Sequence, residues 1–253
     1  MDYNKLLQAI LDIAEEMLVC GAEVSRVEDS IERMCSAYGC TRVNAFIITS
    51  NIQVTMEDPD GSIITQIRRI VRNSVDFDKL DYLNDLSRYI CANKPQLPQL
   101  REKYEKVMAR KNYPVWVSYL GAALIAGGFA VFFGGNAMDG IASAILGTAI
   151  LAMMRFLGKY ETNQLAMVFV ISFLSGLCAI LLMKLGIGVH QDKLMIGGIM
   201  LLIPGIAMTN SIRDMLIGDI VTGMLRLTNS LLQAAAIACG FALSLMITGG
   251  GAI

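Results

Sequence analysis

The charges of this chain are concentrated in its first half, and that separation limits the fold more than any single motif does. Residues 1–113 hold 32 of the 43 Lys, Arg, Asp and Glu residues, and residues 114–253 hold the other 11. A helix needs about 20 apolar residues to cross the hydrocarbon core of a bilayer. Five stretches of the second half fit: 115–133, 138–157, 165–183, 194–208 and 229–248. The expected architecture is therefore a membrane protein with a small cytoplasmic α+β domain over 1–112. An α-helical bundle of about five transmembrane helices follows over 113–253. Lys103, Lys106, Arg110 and Lys111 precede the first span, Arg155 and Lys159 follow the second, and Arg213 and Arg226 follow the fourth. Only Lys184 and Lys193 fall on the other side, so the positive-inside rule puts the N-terminal domain in the cytoplasm of a multi-pass plasma-membrane protein.

Several function classes lose support on composition. A net charge of −1 gives no footprint for a nucleic-acid partner. Six cysteines at no metal-ligand spacing and a single histidine, His190, argue against a zinc site, and no metal or cofactor is expected. No GxSxG, phosphate-binding glycine loop or HExxH is present, so no catalytic residue is assigned. The N-terminus is polar and amphipathic, which predicts no cleaved signal peptide.

In the polar half, Leu6, Leu7, Ile10, Ile13, Ala14, Met17 and Leu18 recur at helical spacing over 3–19, opposite Asp12, Glu15 and Glu16. Gly21 is placed to end that helix. Ser25-Arg26-Val27-Glu28 has the form of a capping box, predicting a second helix over 26–38. Strands are expected over 43–49, 52–56 and 62–70, the last two joined by Asp58-Pro59-Asp60-Gly61. A helix over 78–92 and a charged helix to Lys111 complete the domain. Asp12, Glu15, Glu16, Glu23, Glu28 and Asp29 read as solvated helix faces, with a carboxylate hydrolase or metal site as the sharper alternative. Arg68, Arg69 and Arg72 read as a solvated strand edge.

In the apolar half, small residues recur four apart: Ala122 and Ala126, Ser143 and Gly147, Ser172 and Gly176, Gly240 and Ser244. Such pairs let helices approach closely, as a bundle and in places against another chain, which leaves room for a homo-oligomer. His190, in the loop after the third span, is expected to carry no specific role. The polar interruption over 199–226 is the most informative stretch. Pro204-Gly205 leads into Thr209, Asn210, Ser211, the pair Arg213-Asp214, and Asp219. Proline lacks the amide that bonds one turn back, and transporters place substrate sites at such broken helices. The competing reading is a kinked helix followed by a charged loop at the membrane surface.

Two stretches resemble the threonine/serine exporter family. They are Gly21-Ala22-Glu23-Val24-Ser25-Arg26-Val27-Glu28, and Pro204-Gly205 through Arg213-Asp214, Gly218-Asp219 and Gly223. The resemblance covers nearly the whole chain. It implies export of serine and threonine; the two-chain bacterial form is also associated with succinate. It further implies about ten membrane helices in all, of which this chain carries about five, so the chain looks like the larger subunit of a split transporter with a small membrane partner. In that reading Arg213 attracts a substrate carboxylate, Asp214 or Asp219 takes an ammonium group or a coupling proton, and Pro204-Gly205 exposes backbone to the site. The substrate is threonine, serine or a dicarboxylate. The alternatives are a hydrolase-like N-terminal domain on a membrane anchor, and a regulatory subunit without a substrate site.

Overall fold

The protein is described from a computed structural model over residues 1–72, 74–110, 113–159 and 163–249. These residues divide into two compact units, Met1–Lys111 with Thr209–Arg226, and Asn112–Met208 with Leu227–Ile253. Lys111, placed by the sequence at the end of a helix and before the first span, lies outside the described residues.

The first unit is built around α1 (Tyr3–Val19), whose first turn is capped by Asp2, accepting from the Lys5 amide at 3.1 Å. Leu6, Leu7, Ile10, Leu11, Ile13, Ala14 and Met17 are all fully buried, so apolar contact surrounds the helix on more than one side. Around it lie α2 (Val24–Ala37), α3 (Phe77–Asn93), α4 (Leu97–Met108) and the antiparallel sheet β1 (Thr41–Ile48), β2 (Asn51–Glu57), β3 (Ile63–Arg69) in that order. The sheet turns Ile47, Ile52, Val54 and Met56 into the core. Between β2 and β3, Asp58 Oδ1 accepts from the amides of Asp60 at 3.0 Å and Ser62 at 2.8 Å, with Gly61 at φ +84°.

Three expectations are corrected here. The carboxylates of α1 do not all face solvent: Glu16 is buried and paired with Arg72, while the partly exposed Asp12 pairs with Arg68 at 3.3 Å. Arg68 is likewise drawn from the solvated edge into its pair, whereas Arg72 stays exposed. The Ser25–Glu28 capping box does not form. The helix begins two residues earlier than expected, at Val24, so its cap position is Glu23, which makes no side-chain cap bond. Glu28 therefore sits too far into the helix to reach back to the cap.

The second unit contains α5 (Val115–Phe132), α6 (Ala137–Leu157), α7 (Gln164–Lys184), α8 (Gln191–Ile199) and the greater part of α10 (Ile220–Ile247). Helix α9 (Gly205–Leu216) begins in this unit and ends in the first. Among the described residues four helices, α5, α6, α7 and α10, are long and apolar enough to cross a membrane. The stretch expected as the fourth span is instead divided into α8 and the start of α9. Ile203 still donates to the Ile199 carbonyl at 3.1 Å, but Pro204 has no amide to continue the ladder, and α9 restarts at Gly205.

The small-residue pairs expected from the sequence meet one another. A Cβ on Gly147 would lie 2.6 Å from the Ala122 carbonyl and 2.7 Å from the Ala126 methyl. One on Gly240 would lie 2.7 Å from Ser172 Cβ, and one on Gly176 would overlap Ser244. Helix α8 enters the same seam: Ser143 Oγ donates to the carbonyls of Ala126 (3.0 Å) and Leu194 (3.3 Å), and Gly197 faces that junction.

His190 also departs from expectation. Asp139, fully buried, accepts from the amides of Asn136, Val189 and His190 at 2.9, 2.6 and 2.8 Å, and its Oδ2 lies 2.8 Å from His190 Nδ1. The loop before α8 is thus tied to the capping box of α6. A buried carboxylate with this many donors is a structural anchor.

The seam makes a direct prediction. Gly197→Ala places its methyl 2.3 Å from the Ala126 carbonyl and should cost about 2 kcal/mol. Gly121→Ala enters open space and should cost nothing. Thermal unfolding of the detergent-purified chain should separate the two variants.

Candidate functional site

The charged residues of 209–226 converge with the α1–α2 loop inside the first unit. Helix α9 ends at Leu216, and Gly218, at φ +107°, turns the chain so that the Asp219 amide bonds back to the Asp214 carbonyl at 2.9 Å. Gly223 then lets α10 cross α9 closely, since a Cβ there would lie 2.7 Å from the Ser211 carbonyl and 2.4 Å from Met215 Cγ. This tight hairpin brings Arg226, twelve residues on, beside Asp214: Nη1 donates to Asp214 Oδ2 at 3.1 Å.

The facing element is the loop Cys20–Glu23. Gly21 takes φ +97°, a conformation that residues with a Cβ rarely adopt, and it turns the chain out of α1. The Ala22 carbonyl accepts from Arg226 Nη2 at 3.2 Å, and Glu23 Oε1 accepts from Arg213 Nη1. Two arginines of 209–226 thus hold two successive residues of the loop.

The two ion pairs are physically different. In Asp214–Arg226 the side chains are 0% and 16% exposed; in Glu23–Arg213 they are 24% and 59% exposed. A solvent-reached pair contributes about 0–1 kcal/mol, whereas removing one member of a buried pair costs about 3–5 kcal/mol. Asp214–Arg226 is the fixed frame, and Glu23–Arg213 is the exchangeable contact. Asp214 Oδ1 is buried and has no hydrogen-bond partner among the described residues. Burial pushes the Asp214 carboxyl above its ordinary range against the pull of the Arg226 guanidinium, and the negative charges of Asp219 and Glu23 act in the same direction as burial. Glu28 is pushed up as well, by burial first and then by Asp219.

The sequence-predicted residues separate into groups. Glu23, Arg213 and Asp214 come together around the loop that Gly21 turns. Asp219 adds charge beside Asp214 and Glu28. Thr209 and Asn210 stand one turn before Arg213 and Asp214 on α9. Arg26 does not join: its Nε donates to Asn84 at 3.0 Å, and it lines a cleft of about 540 Å³ with Asp29, Arg33 and Arg88. Ser25 makes no cap bond, and Pro204 and Gly205 belong to the second unit. Sequence reasoning left out Arg226 and the Ala22 carbonyl. One signal for Arg226 was available: two aspartates and two arginines in an otherwise apolar stretch balance one another, which is what buried charges require.

Among the described residues, four helices long and apolar enough to cross a membrane fit a membrane protein, and its polar unit carries a buried acid–base pair. The family model described as "Putative threonine/serine exporter" matches residues 8–248, across both units, and the chain belongs to that family. It is 26% identical over 246 residues to the "Probable threonine/serine exporter" of Mycobacterium tuberculosis, covering 96% of this chain and 46% of that protein. It is 25% identical over 248 residues to the "Threonine/serine exporter" of Corynebacterium glutamicum, covering 93% of this chain and 50% of that protein. The chain therefore spans about half the length of the curated relatives it matches. No solved structure matches it.

The contrast between the pairs is measurable. Arg226→Gln strands a buried carboxylate and should cost about 3 kcal/mol in unfolding experiments, most of it recovered by adding Asp214→Asn. Arg213→Gln should cost less than about 1 kcal/mol.

Proposed function

We propose that this chain forms part of a secondary exporter of threonine and serine, with the cluster of Glu23, Arg213, Asp214 and Arg226 as its substrate-handling site. The single observation that carries the reading is the pairing of an exchangeable guanidinium with a buried carboxylate that has an unfilled acceptor, one residue apart on α9. A zwitterionic amino acid presents the complementary groups: a carboxylate for Arg213 and an ammonium for Asp214. Family membership and the names of the relatives support the same substrates, and neither relative's name mentions a dicarboxylate.

The first unit faces the cytoplasm in this reading, which the cations flanking the first two spans support. The family match runs through both units, which favours one transport machine over a catalytic domain on an anchor. The other half of the relatives' length is matched by a complement, a small membrane partner in the split arrangement, which supplies the remaining helices. Threonine and serine carry no net charge, so the membrane potential does no work on them, and uphill export needs coupling. Asp214 suits a proton carrier because burial favours its neutral form; protonation from an acidic exterior and release to the cytoplasm would drive the amino acid outward.

Proteoliposomes holding the chain with its complement, loaded with labelled threonine or serine, test this. Efflux should respond to an imposed pH gradient, Arg213→Gln should lower it by about ten- to hundredfold, and Asp214→Asn should abolish the response to the gradient. Undiminished, gradient-driven efflux in both variants would overturn the assignment of the site.

A further inference from the structure

Glu23 is a carboxylate at the position that a substrate carboxylate needs. It stands at the N-terminal boundary of α2, where it makes no cap bond and accepts from Arg213. The backbone leading to it is set by Gly21 in the left-handed region, and the Ala22 carbonyl beside it is held by Arg226. The loop is thus clasped at two successive residues, by one exposed contact and one half-buried contact. Only the exposed contact involves a group that a free amino acid carries.

We propose that Glu23 is a tethered competitor for Arg213: it occupies the guanidinium while the site is empty and yields it to the carboxylate of an arriving amino acid. Exchange of one carboxylate for another leaves the net charge around Arg213 unchanged, so the step carries little electrostatic penalty. Its consequence is mechanical. When Glu23 lets go, the Arg226 bond to the Ala22 carbonyl remains, and the start of α2 loses its ion pair to α9. Substrate occupancy is thereby reported to the start of α2 through the Glu23–Arg213 contact. The inference rests on the transport reading above and adds to it a gate and the residue that works it.

A tethered competitor has a kinetic signature that a structural contact lacks. In the proteoliposome assay, Glu23→Gln should lower the half-saturating threonine concentration by about two- to fivefold. Glu23→Asp, which keeps the charge on a shorter arm, should fall between Glu23→Gln and the wild type. A second readout is hydrogen exchange at the amides of 22–24 in the full chain with its complement. Threonine should raise exchange there in the wild type, threonine amide should not because it lacks the carboxylate, and Arg213→Gln should show raised exchange without ligand. Wild-type threonine flux with an unchanged half-saturating concentration in Glu23→Gln would overturn the gate and leave the exporter reading standing. Absence of threonine flux in the wild type would overturn both.

Discussion

The buried pair of Asp214 and Arg226 is the interaction on which the arrangement of the first unit's functional surface depends. Arg226 bonds the carboxylate with one nitrogen and the Ala22 carbonyl with another, so it joins both arms of the α9–α10 hairpin to the loop after α1. The hairpin needs Gly218 to turn and Gly223 to let the helices cross. Arg213 is then placed by its position beside Asp214 in α9, and Glu23 by its position after Ala22. One deep contact fixes the frame, and one shallow contact beside it remains free to exchange. That division between a fixed pair and a labile one is what the proposed site needs to bind and release a zwitterion.

Close backbone approach does the corresponding work in the apolar unit. Gly147, Gly176, Gly197 and Gly240 each stand where a methyl group would strike a neighbouring helix. Helices in lipid gain little from hydrophobic burial against one another, so contact of this kind and hydrogen bonds such as those of Ser143 hold them together. Asp139 is the one fully buried carboxylate described in this unit, and its donors come from the two segments it joins.

Local pattern was readable in the sequence, and pairing at a distance was not. The apolar spacing of α1, the turn at Asp58–Gly61, the break at Pro204 and the small-residue seams all express rules that operate within a few residues. The partners of Glu16, Asp12 and Glu23 lie 56 and 190 residues away along the chain, so these carboxylates looked like solvated surface. The Ser25–Glu28 motif misled because a capping box and an ordinary helix interior share the same spacing, and the helix began two residues earlier. The start of α10 was expected at 229 and lies at Ile220, since Thr222 and Arg226 make its first turns too polar to read as a span. Of the site, Arg213, Asp214 and Glu23 were legible as residues; their assembly around Arg226 was not.

The most direct test of the account is the distance between the carboxylate of bound threonine and the guanidinium of Arg213. It can be measured by dipolar coupling between ¹³C-carboxyl threonine and ¹⁵N-labelled arginine in lipid bilayers, with the chain and its complement present and Arg213→Lys as the assignment control. The account predicts a contact within about 4 Å that is absent in the control. Saturating threonine that leaves Arg213 paired with Glu23, with no coupling to the ligand, would contradict it.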